Sequence, residues 1–321
     1  MAITLNSNLF LGTLSNLIAY TQINYVAEKG EMSRLVASCQ DINVDNGDGK
    51  VVRSADLPSV GNLSGVSSLL TPAPPTVDEQ YVDVTNYKVI QMTVNRYLMR
   101  GAFVEESAMA NFIAYLLQIM RTAKEAYIYG ALVGLIENYA PTLATQVVTV
   151  PMFDTTGLLD PAQLERANTY NAKALQKALI KTLQAMGAPS AKFNDKAYTE
   201  VIDFSSLKLI VKSTPDTDLL VDSLATLLNS GKITEAQKWS ETIVIPDDQF
   251  SVSADPTHLC WLCHNKKFQF GYFYEVATSF FDASTLNQSD WLHFAYYLAS
   301  IDALPCVRFE ADYSLTPTAL Q

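Results

Sequence analysis

FVEESAMANFIAYLLQIMRTAKEAYIYGALVGLIENY, residues Phe103–Tyr139, contains no proline, and Pro141 follows just beyond it. As one helix at 1.5 Å per residue, it is about 55 Å long, against about 11–12 residues for a usual globular helix. Its polar positions Asn111, Gln118, Arg121, Thr122 and Glu125 fall on one narrow strip. Phe112, Ile113, Tyr115, Leu116, Leu117, Ile119, Met120, Tyr127, Ile128 and Leu132 occupy the other faces. A helix so widely apolar needs cover on most sides. Asn111, Gln118, Arg121, Lys124 and Glu125 interrupt it, so it lacks the run of about 20 apolar residues that a membrane span needs. Glu105 and Glu106 open it, where negative charge complements the helix dipole. The stretch reads as a spine around which the remaining chain packs.

Just before it, YVDVTNYKVIQMTVNRYLMR (81–100) alternates polar residues with β-branched and aromatic ones. Two β segments are expected there, the return limb of a long two-stranded loop whose outgoing limb lies near 35–57. Residues 41–80 are turn-rich: DNGDGK at 45–50 is a turn signal, and Pro58, Gly61, Gly65, Pro72, Pro74 and Pro75 keep the following stretch out of any packed core. In 1–40, Leu14, Leu17, Ile18 and Val26 allow one short amphipathic helix.

Beyond the spine, TQVVTV (145–150) predicts a strand. Asp160-Pro161-Ala162-Gln163 predicts a capped helix start, with the helix running to Met186 and stopping at Gly187. Lys173, Lys177 and Lys181 share one of its faces, either a solvated face or a basic stripe toward a polyanion. Residues 190–250 alternate helix and strand: KAYTEVI helical, LKLIV strand, LLVDSLATLLN helix, ETIVIPD strand. From 257 to 310 the chain reads as long aromatic-rich strands that return to the spine.

Composition narrows the function. The 321 residues are 49% hydrophobic and 17% charged, against about 25% charged in an ordinary domain. Sparse charge fits a surface covered by partners. The net charge of −11 argues against a dedicated nucleic-acid binder, which needs a basic face. The first basic residue is Lys29, so no charged signal or transit segment precedes it, and cytoplasmic synthesis without a membrane anchor is expected. Cys39, Cys260, Cys263 and Cys306 are too few for a disulfide scaffold.

Cys260-Trp261-Leu262-Cys263-His264 matches the covalent haem-attachment spacing, with His258 nearby. In a strand, however, Cys260 and Cys263 point to opposite faces and cannot grip one group. Asp41 to Gly47 departs from a calcium loop, since its glycine is late and Val52 stands where a bidentate Glu is required. Ser230-Gly231-Lys232-Ile233-Thr234 lacks the first glycine of a phosphate loop. No GxSxG, HExxH or GxGxxG occurs, and no catalytic, cofactor or metal residue is assigned.

The order of these elements resembles the major capsid proteins of tailed bacteriophages, the Hong Kong 97 type fold. The run from DPAQLERANTYNAKALQKALIKTL through SLKLIVKSTPDTDLLVDSLATLLNSGKI to ETIVIPD, and then HLCWLCHNKKFQFGYFYEVATSFFDASTLNQSDWLHFAYYLASIDALPCVRF, is similar to small podophage capsid proteins over most of 80–312. The resemblance implies an α+β chain with an N-terminal arm at 1–40, an extended loop at 41–100 and a peripheral domain with the spine at 101–187. An axial α/β domain at 188–256 and closing strands at 257–321 complete it.

It further implies a structural shell protein rather than an enzyme, assembling as pentamers and hexamers around double-stranded DNA in a virion. Scaffolding, portal and cement proteins would be separate, scaffolding because Met1 is retained. Lys173, Lys177 and Lys181 become candidate DNA contacts. Pro72, Pro74, Pro75, Tyr127 and Ile128 become candidate contacts between subunits. An encapsulin-like compartment shell shares the implied fold and stays open. So does a cytosolic redox or metal protein using Cys260, Cys263 and His264.

Overall fold

The computed structural model describes residues 31–41, 50–58, 76–84, 86–95, 106–155, 160–214, 239–251, 255 and 257–315; for 31, 33, 106–118 and 121 it describes the backbone alone. The expected helices at 14–26 and 219–229, the turn at 45–50 apart from Lys50, the Pro72, Pro74 and Pro75 segment and residues 103–105 lie outside the described residues. The described chain is a mixture of helices and sheets and divides into two compact units. One draws on Met1–Lys50, Val82–Leu132 and Gln269–Leu298, the other on Val51–Tyr81, Val133–Phe268 and Ala299–Gln321.

The elements, in chain order, are α1 (Glu31–Cys39), β1 (Lys50–Ala55), β2 (Val77–Val82), β3 (Asn86–Asn95), α2 (Glu106–Glu137), β4 (Val147–Phe153), α3 (Pro161–Met186), β5 (Leu207–Lys212), β6 (Glu241–Ile245), β7 (His258–His264), β8 (Phe268–Asp282), β9 (Asn287–Ser300) and β10 (Cys306–Leu315). The expected spine is α2, a single helix of 32 residues. No helix among the described residues is long and apolar enough to cross a membrane.

In the first unit, α2 packs on a three-stranded sheet of order β3-β9-β8. β9 supplies Leu292, Phe294 and Tyr296, all buried, at alternate positions as one face of a strand requires. Tyr127 of α2 meets Phe294 and Tyr296 edge-on at 6.1 and 5.9 Å, and the Tyr296 hydroxyl donates to the Tyr127 hydroxyl at 3.0 Å. One turn earlier, Lys124 is buried. Its Nζ donates to both Glu275 oxygens at 2.9 and 3.0 Å and lies 3.6 Å from the Tyr272 ring centre. Burial pushes its pKa down, and the Glu275 carboxylate resists that. The spine is therefore clamped to the sheet by a charge that the sequence showed only as an interruption.

Two features here differ from expectation. Residues 31–39 are a helix, not the start of a β limb, with Leu35, Val36 and Cys39 buried. Its end is tied to the sheet: the Asp41 amide donates to the Phe270 carbonyl at 2.8 Å, and the Asp41 carboxylate receives the Tyr297 hydroxyl and pairs with Lys50. β3, in turn, is not part of a free limb. It pairs antiparallel with β9 in unbroken register from Asn86↔Tyr296 to Asn95↔Asn287. Ten continuous ladder positions outweigh the loop assignment that the nearby turn residues suggest.

The second unit is built on a five-stranded sheet of order β4-β10-β7-β5-β6. β10 runs parallel to β4 and antiparallel to β7, while β5 runs antiparallel to β7 and parallel to β6. α3 lays Leu175, Leu179, Leu183 and Met186 on Val150, Met152, Leu209, Leu262, Val307 and Phe309. Each such buried side chain contributes about 1.5–3 kcal/mol of transfer free energy. Asp160 caps the helix by accepting from the Ala162 amide at 3.1 Å, ahead of Pro161. Gly187 ends it in a right-handed conformation, φ −72°. Its missing side chain makes room for the Phe204 ring, which would stand 2.8 Å from an added Cβ.

KAYTEVI is not a helix. Ala197 takes φ 56°, and Asn194 brackets Tyr198, accepting its amide at 2.8 Å and donating to its carbonyl at 2.7 Å. An Asn side chain that satisfies nearby backbone groups competes directly with helix bonds. Ser190 and Glu200 then close the loop with two backbone bonds.

Below that loop lies a buried polar network. Lys267, fully buried, donates to Asp195 at 2.6 Å and to the Ile301 carbonyl at 2.9 Å. Asp195 also accepts the Tyr139 hydroxyl at 2.9 Å and the Thr142 amide at 3.1 Å. Burial opposes the Asp195 charge, but Lys267 and these donors win, and its pKa falls below the ordinary value. Removing one partner strands a charge in the core. Asp195→Ala is expected to lose about 3–5 kcal/mol in denaturant unfolding, whereas Glu79→Ala, which breaks the exposed pair with Arg53, should leave the unfolding midpoint almost unchanged. Because the folded pKa is depressed, the Asp195 contribution is complete above about pH 4 and is lost as the pH falls through the folded value.

Candidate assembly surfaces

The buried side of α2 carries Met120, Lys124, Ile128 and Leu132. Ile128 is thus a core residue of its own subunit, which corrects its reading as an outward contact. Tyr127 is 40% exposed and remains at the edge of the open side. That open side is not the polar strip alone. Ile119, at 42% exposure, is joined by exposed Ala123, Ala126 and Gly130. At 100° per residue these four fall within one narrow sector. A Cβ on Gly130 would meet no atom within 4 Å. Glycine inside a helix costs about 1 kcal/mol relative to alanine, and no contact among the described residues requires it there. A smooth apolar face of this kind suits close approach by another backbone.

A second open face lies on the three-stranded sheet. Tyr87 and Val89 on β3 are 70% and 52% exposed, and Tyr274 on β8 is 48% exposed. With Lys88, His293 and Phe294 they line a shallow groove of about 290 Å³. Val89 stands directly opposite His293 in the ladder, which places both on this face.

β1 and β2 form a separate two-stranded sheet. Arg53 and Glu79 pair across it at 2.8 Å, and the Tyr81 hydroxyl donates to Glu79 at 2.8 Å. Its base is held within the second unit. Asp56 accepts the Thr199 amide at 2.8 Å, Asp78 pairs with Lys196 at 2.5 Å, and Gln80 bonds both Ser300 and Asp302. Val51, Leu57, Val77 and Tyr81 are exposed on this ribbon.

Lys173, Lys177 and Lys181 are all exposed on α3. The structure brings them together along a groove of about 650 Å³ that β4 closes with Val148, Val150 and Pro151. The cysteine motif, by contrast, does not converge. Cys260 pairs with Phe309 and Cys263 with Cys306 in the β7–β10 ladder, so the two lie on opposite faces of β7, and the His264 Nδ1 accepts the Lys266 amide at 3.0 Å. No group of His, Cys, Asp and Glu placed to hold a metal occurs among the described residues.

A further cavity of about 380 Å³, within the second unit, is lined by Phe153, Asn171, Lys212, Phe250 and His258 among others. Asn171 there bonds both the amide and the carbonyl of Phe153, at 2.8 and 2.9 Å, and so pins α3 to the end of β4. His258 lies 3.5 Å from Glu310, and burial, with Arg308 nearby, lowers its pKa despite that carboxylate. These groups brace strand ends against one another.

Comparison with known proteins gives this arrangement a context. Chains from solved phage structures share the fold at low identity. A chain of the Staphylococcus phage Andhra capsid superposes with a TM-score of 0.64 at 11% identity, covering 86% of this chain and 83% of that one. A chain from the structure of the head fiber and inner core protein gp22 of native bacteriophage P68 gives 0.62 at 10% identity, covering 89% and 85%. One from the capsid of cyanophage P-SCSP1u gives 0.56 at 9% identity, covering 86% and 87%. No curated protein matches the sequence. The architecture is the Hong Kong 97 type fold, as the order of elements in the sequence implied. The family profile of the Phi29-like phage major capsid protein matches residues 49–310, most of the chain. The chain belongs to the Phi29-like phage major capsid protein family and is a structural component of a virion shell.

Proposed function

We propose that copies of this chain assemble as pentamers and hexamers into an icosahedral shell around double-stranded DNA. The observation that carries the reading is the open apolar sector of α2, Ile119, Ala123, Ala126 and Gly130, together with Tyr87, Val89 and Tyr274 on the sheet. Monomeric proteins rarely leave contiguous apolar patches above a few hundred Å² uncovered. A shell subunit hides them against its neighbours, in interfaces of about 1,000 Å² or more each.

One chain in two symmetry environments needs rigid cores and adjustable connections. In this reading the first unit, with α2 and the β3-β9-β8 sheet, is the peripheral domain, and the second, with the five-stranded sheet, is the axial domain. The bounds read from the sequence (arm 1–40, extended loop 41–100, then 101–187, 188–256 and 257–321) shift accordingly, since α1 and β3 belong to the first unit and β4, α3, β7 and β10 to the second. Within the loop, the β1–β2 ribbon is the part that reaches a neighbouring subunit. Pro72, Pro74 and Pro75, which fall between its strands in the sequence, are proposed contacts between subunits. Scaffolding, portal and any cement proteins are separate partners.

The Lys173, Lys177 and Lys181 groove is the proposed inner contact for packaged DNA. It is weak by design, because the chain is acidic as a whole, with a net charge of −11, and three lysines release few counterions.

Two measurements test this. Gly130→Ala should leave the isolated subunit as stable or more stable, by up to about 1 kcal/mol, yet slow or stop assembly seen by light scattering. Ala126→Glu should abolish assembly while the circular dichroism spectrum is kept. Assembly of both variants at the native rate contradicts the helix-face interface. For the groove, replacing all three lysines with glutamine should flatten the salt dependence of short-duplex binding by roughly 3 units of log–log slope. An unchanged slope removes the groove as a phosphate contact.

A further inference from the structure

Cys263 and Cys306 face each other across the β7–β10 ladder. The bonds around them define the kind of pair. The Cys306 amide donates to the Phe193 carbonyl at 2.8 Å, and the His264 amide donates to the Pro305 carbonyl at 2.9 Å. Cys263 and Cys306 therefore exchange no backbone bond, and they occupy a non-hydrogen-bonded position. There, opposed Cα atoms stand about 4.5 Å apart and side chains approach most closely. A disulfide needs a Cα separation of about 4.4–6.8 Å. The position meets that need without moving the strands.

We propose that Cys263 and Cys306 are a redox pair that closes a disulfide within the subunit, with a small-molecule disulfide as oxidant. The Cys263 thiolate attacks one sulfur of the reagent and displaces a thiolate. The Cys306 thiol then loses its proton, attacks the Cys263 sulfur of the mixed disulfide and displaces the second thiolate. Two protein thiols lose two electrons and two protons in total. The reagent gains them and leaves as two thiols.

The surroundings assign the roles. Both sulfurs are fully buried, and so are Lys208 and Lys267 beside them. Burial acts against a charge on Cys263, yet the hydrogen bond from Cys306 and the two lysines outweigh it and lower the Cys263 pKa. Burial and the neighbouring Cys263 raise that of Cys306. Lys208 stands directly opposite Cys263 in the β5–β7 ladder, where its charge favours a thiolate, so Cys263 is the attacking sulfur and Cys306 the resolving one. Cys260, on the other face of β7, has no such neighbour, and burial alone raises its pKa.

Access comes from the strand ends. Cys263 is the last residue but one of β7, and Cys306 is the first of β10. Local opening starts at such ends. The bond would also have a mechanical use. The chain between the two cysteines carries β8 and β9, so the link would close the base of that excursion and narrow the unfolded ensemble. The chemistry stands apart from the shell reading. Only its timing rests on it, since a virion passes from a reducing cell to an oxidising exterior.

The experiment treats the full chain with 2-hydroxyethyl disulfide under native conditions, then alkylates it in denaturant and maps peptides without reduction. The expected result is one linked peptide pair joining Cys263 to Cys306 within a subunit, with Cys39 and Cys260 alkylated. The thermal midpoint should rise by several degrees and fall back with dithiothreitol. Cys306→Ala should stop at the mixed disulfide on Cys263. Recovery of Cys263 and Cys306 as two free thiols in the wild-type chain overturns the proposal, whatever the variant does. So does a link found only between different subunits.

Discussion

A helix apolar around most of its circumference cannot be covered by one sheet. Everything else in the molecule follows from how α2 meets that constraint. One side is closed inside the subunit by Tyr127, Phe294 and Tyr296 and by the Lys124–Glu275 clamp. A sheet touches a helix along one stripe only. Among the described side chains of α2, the sector from Ile119 to Gly130 is open. Water-exposed apolar surface of this kind favours association wherever a complementary surface exists. Family membership makes the chain a shell component, and a shell component meets copies of itself.

Both compact units hold a buried lysine paired to a carboxylate, as in Lys124 with Glu275 and Lys267 with Asp195. Such pairs do not raise stability cheaply, since desolvation offsets most of the attraction. What they do is penalise every arrangement in which the partners are apart. Lys124 can be buried only where Glu275 reaches it, which sets how α2 lies on β8. Lys267 can be buried only where Asp195 reaches it, which places the 190–200 loop. This suits a subunit whose edges must match many neighbours while its cores keep one geometry.

Much of this was legible in the sequence because it rests on local or periodic signals. The long proline-free helix, the Asp160-Pro161 start, LKLIV, ETIVIPD and the closing strands are all present as read. What escaped depends on contacts distant in sequence. β3 reads as a loop limb until β9 supplies ten partners. KAYTEVI reads as a helix until Asn194 captures the backbone of Tyr198. Ile128 reads as outward because an apolar helix shows no inside or outside in its sequence, and only the sheet decides. Lys124 gave no sign of burial, since its partner is 151 residues away. The lysine face of α3 was visible from the spacing of Lys173, Lys177 and Lys181. The opposed Cys263 and Cys306 needed the strand register to be seen at all.

The most direct measurement is cryo-electron microscopy of particles assembled from the full chain. The expected map shows the α2 sector of Ile119, Ala123, Ala126 and Gly130 covered by a neighbouring copy, with backbone lying close over Gly130. A closed particle in which that sector faces solvent in every subunit would contradict the central claim. The apolar surface of the spine would then need another explanation than assembly.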